Sequence, residues 1–224
     1  FGSGNAVVES IATLPTDTGE DDLYMIVKRT VNSATKRYVE KLKPFDFGSA
    51  ATGSFFVDSG LSYSGSATTS LTGLYHLQGQ TASVLGNGAS HATKTVSDGG
   101  ITTDFSVTTA AVGLGFTSSM KTLRLESGSV DGTSQGKPKR IHAVTVRLFE
   151  TVGVEVGTSS SSVERIPFRD SSMAMDTAVS LFTGDKDIEF TGGFDDQDRI
   201  YLQQTQALPL TVLALFPRLN TFDI

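Results

Sequence analysis

Apolar and polar residues alternate along this 224-residue chain in short runs, and Gly, Asn and Asp cut the runs apart. A side-chain period of two belongs to strands with one buried face, and no stretch carries a 3.6-residue stripe over three turns. Leu23, Met25 and Val27 alternate with Tyr24, Ile26 and Lys28. Asn32, Ser33 and Ala34 supply turn chemistry, and Arg37 to Leu42 follows, which together predict a hairpin that Pro44 ends. Thr81 to Leu85, Thr93 to Val96 and Ile101 to Val107 read as further strands, divided by Gly86-Asn87-Gly88 and Asp98-Gly99-Gly100. Val112, Leu114 and Phe116, then Leu123 and Leu125, continue the pattern of short strands. The clearest strand puts Val144, Val146 and Leu148 on one face and Ala143, Thr145, Arg147 and Phe149 on the other. Ile188 to Phe190 and Arg199 to Gln204 are shorter strands, and Val212 to Phe216, apolar on both faces, is expected in the centre of a sheet. Frequent turns between short strands predict an all-β chain of antiparallel sandwich- or barrel-like modules with long Gly/Ser-rich loops.

Composition agrees, since 23 Gly and a Ser plus Thr share of about a quarter favour turns and strands over helices. Residues 1–47 read as a hairpin region of a larger β domain, and 48–126 as a small β module. Within that module residues 48–70 are expected to be loop with one short strand around Phe55, Phe56 and Val57. Residues 127–224 are expected to complete the first sheet, after a polar loop over 127–138 and with a Ser-rich linker over 157–164. The start, Phe1-Gly2-Ser3-Gly4-Asn5, reads as a cut end, so the chain is expected to be a piece of a longer protein.

The chemistry-bearing residues are sparse. Absence of Cys excludes a disulfide scaffold, thiolate metal sites and cysteine catalysis. His76, His91 and His142 lie far apart, with no two at a helical ligand spacing, and read as polar surface or sheet-face residues. Asp195, Asp196 and Asp198 could offer oxygens to calcium, but the twelve-residue calcium-loop pattern is missing and an acidic turn is the simpler reading. Gly60-Leu61-Ser62-Tyr63-Ser64 lacks the second Gly of a nucleophile elbow. Asp21-Asp22 is a carboxylate pair of the kind any acidic chain contains. Lys137, Lys139 and Arg140 form the one basic cluster and read as a solvated loop. The 14 Phe, spread through short strands, read as core. The expectation is therefore no enzyme, with no catalytic, metal or cofactor-binding residue and no cofactor. A net charge of −6 opposes a grip on nucleic acid. The longest apolar stretch, Leu208 to Phe216, is short and contains Pro209, so no membrane insertion is expected.

Four stretches, in order, carry a resemblance. The first is Val7-Val8-Glu9-Ser10-Ile11-Ala12-Thr13-Leu14-Pro15, with Asp21-Asp22-Leu23-Tyr24-Met25-Ile26-Val27-Lys28-Arg29-Thr30 and Lys36-Arg37-Tyr38-Val39-Glu40. The second is Leu74-Tyr75-His76-Leu77-Gln78-Gly79, followed by Val112-Gly113-Leu114-Gly115-Phe116. The third is Thr122-Leu123-Arg124-Leu125 with Gly136-Lys137-Pro138-Lys139-Arg140-Ile141. The fourth is Leu181-Phe182-Thr183-Gly184-Asp185 with Leu208-Pro209-Leu210-Thr211-Val212-Leu213-Ala214. Together they resemble the C-terminal part of podovirus tail nozzle proteins, the large tail tubular or phage stabilisation type. The chain departs from that pattern in lacking the longer N-terminal region and in the degenerate run Ser159 to Ser162. The resemblance implies a structural subunit of the virion, in a phage tail. Its partners would be itself, in a ring of six copies, the other tail proteins, and DNA that passes without specific binding. The family has no catalytic residues to carry over. The alternative readings are a tail-associated adhesin that recognises the host surface, and an enzyme acting on cell-wall polysaccharide.

Overall fold

The structure is a computed structural model that describes residues 6–17, 19–126, 133–175, 177–190, 193–194 and 199–221. Strand makes up 57% of it, in four antiparallel sheets, and no α-helix occurs among the described residues, so the class is all-β. The chain divides into two compact units, residues 1–117 with 206–208 and residues 118–205 with 209–224.

In the first unit β1 (Val7–Leu14), β2 (Asp22–Val31) and β3 (Ala34–Lys41) form a sheet in that order. The β2–β3 turn places Asn32 and Ser33 at φ 49° and 61°. Two left-handed residues give the connection a twist that matches the strands it joins. The second sheet has the order β4-β8-β5-β6, built from β4 (Asp58–Thr72), β5 (Thr81–Gly86), β6 (Ala89–Ser90) and β8 (Gly100–Leu114), with β7 (Lys94–Thr95) also on β5. The predicted turns at Asn87-Gly88 and Asp98-Gly99 are there, with all four residues at positive φ. Gly99 is required twice over, because a Cβ on it would also lie 2.6 Å from the Tyr75 ring. The core gathers Leu71, Val84, Ile101, Val107, Val112 and Leu114 from the strands, and Leu74 and Leu77 from the short 3-10 turn Tyr75–Leu77 and its flank.

The second unit is a sandwich. One sheet has the order β13-β10-β15, from β10 (Lys139–Thr151), β13 (Phe182–Glu189) and β15 (Val212–Thr221). The other runs β12-β11-β14-β9, from β9 (Ser118–Lys121), β11 (Glu155–Ser159), β12 (Ser162–Arg165) and β14 (Tyr201–Gln204). Val144, Val146 and Leu148 are fully buried and meet Val156, Ile200 and Leu202 of the facing sheet. Alternation fixes which side of β10 is covered, and the second sheet covers it.

Several expectations are corrected. Most of residues 48–70 is the fifteen-residue β4, not loop. It is an edge strand, where Ser and Thr suffice because little has to be buried, and β8 supplies the template it pairs with. Ile101 to Leu114 is one strand rather than two. Residues 157–164 are no linker but most of the β11–β12 hairpin. A Cβ on Gly157 would lie 1.8 Å from the Ser162 carbonyl oxygen, so this glycine permits the close pairing. No described strand beyond residue 126 joins β1, β2 and β3; those strands build their own two sheets. Finally, Val212 to Phe216 lies at an edge of its sheet, and β10 holds the centre.

Candidate functional site

The most distinctive surface is the β1–β3 sheet with the groove beside β3. Strand pairing sorts its side chains into two faces. Met25, Val27, Arg29 and Val31 are buried on one, and Ile26 stands exposed on the other with Val39 opposite it. The buried face holds a charge: Arg29 is 1% exposed and forks onto Glu40, with Nε 3.0 Å from Oε1 and an outer nitrogen 3.1 Å from Oε2. Such a pair fits a dry site because guanidinium and carboxylate match in a planar, bidentate way. The exposed face is tied by Glu9, which accepts from Arg37 and lies 3.6 Å from Lys28, and by Lys41 on Asp22. The Arg37 guanidinium holds the Glu9 carboxyl below its ordinary pKa.

The groove has a volume of about 830 Å³. Its walls are Val39 to Phe47 on one side and Phe55 to Leu61 on the other, with His76 and Phe116. Phe45, Phe47 and Phe56 meet edge to face, with ring centres 5.7 to 6.3 Å apart. Lys43 Nζ sits 5.5 Å from the centre of the Phe55 ring. Phe45 is 63% exposed, so these rings line a surface rather than fill a core. That corrects the reading of these Phe as core, whereas Phe190 is buried in the second unit with Phe168 and Phe182 packed on the same cluster. The available signal was the density of Phe45, Phe47, Phe55 and Phe56 in an otherwise Gly- and Ser-rich segment. Tyr38 joins the groove to the rest of the unit: its hydroxyl donates to the His76 carbonyl at 3.1 Å, and its ring meets that of His76 edge on. Burial, with Glu40 nearby, raises the Tyr38 pKa.

The histidines do not converge into a ligand set. His76 bonds the Ser59 carbonyl through Nε2 at 2.8 Å, His91 lies against Phe105, and His142 is on β10. Among the described residues no three His, Asp or Glu side chains are grouped to hold a metal. Asp195, Asp196 and Asp198 lie outside the described residues. Ser62 is in mid-β4, paired with Ala111 of β8. Asp22 opens β2 and is held by Lys41, with Asp21 exposed beside it.

The basic cluster is not a solvated loop: Lys139 is 2% exposed and donates to the Leu125 carbonyl at 2.9 Å, so its charge serves packing. On the exposed side of β10, Arg147 forks onto Asp185 and lies over Phe216, while Asp187 takes Thr145 and Arg218. These cross-strand charges are satisfied among themselves.

Neither protein-family models nor curated proteins match the chain.

Proposed function

We propose that the chain is a structural subunit of a phage tail nozzle, resident in the virion, whose copies surround the passage for DNA ejection. The observation that carries this reading is the β1–β3 sheet. Its outer strands expose Val7, Ile11, Leu14 and Val39, at 49%, 64%, 53% and 73%. Apolar edge strands left this open are aggregation-prone unless another protein surface covers them. The ordered resemblance of four stretches supports the same reading, and it names the assembly. An excess of 24 acidic over 18 basic residues suits a wall that phosphate slides past.

The role requires a closed ring of like contacts and no reaction. The mass of the intact protein in solution, with electron micrographs, tests it. Rings of six copies are the expected result, and a stable monomer or trimer under all conditions overturns it. The aromatic groove favours one rival, an adhesin, because rings stack on sugars and peptides. Binding of the purified chain to host-surface glycans or cells would decide for that rival.

A further inference from the structure

We infer that β1 of one copy adds in parallel to the open edge of β3 in the next copy and seats its Val8 and Ile11 in the neighbour's aromatic groove. This rests on the reading of the chain as an assembly subunit and specifies the contact that assembles it.

Hydrogen-bond alternation defines the two edges. The Leu42 N–H donates to the Leu23 carbonyl at 2.9 Å, which marks a bonded pair. Counting by twos towards the turn, Glu40, Tyr38 and Lys36 direct their backbone groups at β2. Arg37, Val39 and Lys41 therefore direct theirs away from β2, and no described strand pairs there. The same count across β2 makes Ser10, Ala12 and Leu14 the bonded residues of β1, so Ile11 and Thr13 present their backbone to the opposite edge. From Val7 to Leu14 there is no Lys or Pro, and the one charge, Glu9, sits at the bulge between Val8 and Ser10, which leaves Ile11 to Leu14 as the open stretch of that edge.

Side chains then fit a knob to a hole. Ile11 pairs with Met25, which is 5% exposed, so Ile11 belongs to the covered face of its sheet; yet it is 64% exposed, because no described residue of its own unit reaches over it. Beside β3 lies the groove, whose lining takes Met25, Tyr38, Glu40 and Leu42 from that face and Val39 and Lys41 from the strand's other side. A strand added to β3 must direct alternate residues into it, and those of β1 are Val8 and Ile11.

Displacement sets the direction. β1 and β3 both run antiparallel to β2, so they run the same way, and a neighbour displaced sideways keeps that direction. The turn after β1 carries exposed Asp17, Glu20 and Asp21. Lys41 and Lys43 stand at the corresponding end of β3. Basic residues stand at both ends of β3, Lys36 and Arg37 at its start and Lys41 and Lys43 at its finish, so the acids meet bases either way and the sideways displacement alone selects the parallel direction. One edge meeting a different edge is a heterologous contact, which closes into a ring when repeated.

The chain has no Cys, which makes the test clean. In the full-length protein, Val39→Cys is combined in turn with Ser10→Cys, Ala12→Cys and Leu14→Cys, all on the exposed face. Within one copy β2 separates these positions by about 9.6 Å, two strand spacings. A disulfide needs Cα atoms closer than about 7 Å, so only neighbouring copies can be bridged. The expected result is a covalent ladder for at least one pairing, ending at the size of the ring, with at most dimers from each single-Cys variant. Ile11→Lys should abolish assembly and leave the thermal unfolding of the subunit unchanged. Rings in micrographs without a ladder from any pairing, or assembly undiminished by Ile11→Lys, overturn the inference and leave the nozzle reading standing. A ladder that continues past six copies into open filaments supports the contact and counts against the closed ring.

Discussion

Arg29 shows how much one residue commits a sheet to. Its guanidinium is shut away from water on the covered face of β2, where Glu40 of β3 accepts from two of its N–H groups and helps make this tolerable. Removing one partner of a buried ion pair is far costlier than replacing both by apolar groups. Glu40→Ala should therefore destabilise the protein by about 3 to 5 kcal/mol in denaturant melts, whereas Arg29→Met with Glu40→Leu should recover most of the loss. Equal stability for the Glu40→Ala variant and the parent would refute this account. The alternation read from the sequence ran from Leu23 to Lys28 and did not reach the cation at position 29 or the carboxylate it finds. Lys139 makes the same point: beside Lys137 and Arg140 it reads as a loop charge, yet its ammonium is spent on the Leu125 carbonyl inside the second unit.

Among the elements, β10 and β15 separate what pattern reveals from what packing decides. Both are rich in apolar residues. In β10 the alternation coincides with a facing sheet, so Val144, Val146 and Leu148 are buried. β15 is apolar on both faces, but only one is covered, and Leu213 and Phe216 stay 59% and 45% exposed. Leu148→Ala should cost about 2 to 5 kcal/mol, from lost transfer energy and the cavity left behind. Leu213→Ala should stay within about 0.5 kcal/mol of the parent. Comparable losses for the two would mean that the outer face of β15 is covered in solution. The β2–β3 hairpin and the turns at Asn87 and Asp98 were legible because turn chemistry and alternation agree there. β4 was not, because Ser, Gly and Thr form an edge strand only where a partner such as β8 is already in place.

At the scale of the whole molecule, five carboxyls among the described residues sit below their ordinary pKa. Hydrogen bonds are the leading causes: Arg37 on Glu9, the Ser134 N–H on Glu126, Gln203 on Glu155, Ser172 on Asp170 and Arg147 on Asp185. A depressed carboxyl binds fewer protons folded than unfolded, so its contribution is complete above the unfolded pKa of about 4 and fades as pH falls through the folded value. The sites are exposed or nearly so, and each contribution is small. The melting temperature should fall steadily from pH 5 to pH 3, and the portion owed to Arg37 and Arg147 should shrink in high salt. A flat profile over that range would show that these bonds do not persist in solution. Assembly belongs to this scale too, and the groove it would use was hidden from the sequence. Its walls come from residues 39–47, 55–61, 76 and 116, which only the tertiary fold brings together. By itself the sequence determined the all-β class, the hairpin and its turns, and the division of β10 into two faces, because a period of two and left-handed turn residues are local properties of the chain. The tertiary structure decided which edges stay open, which apolar faces are covered and where buried charges find partners, because exposure depends on what lies opposite a residue and no local pattern encodes that.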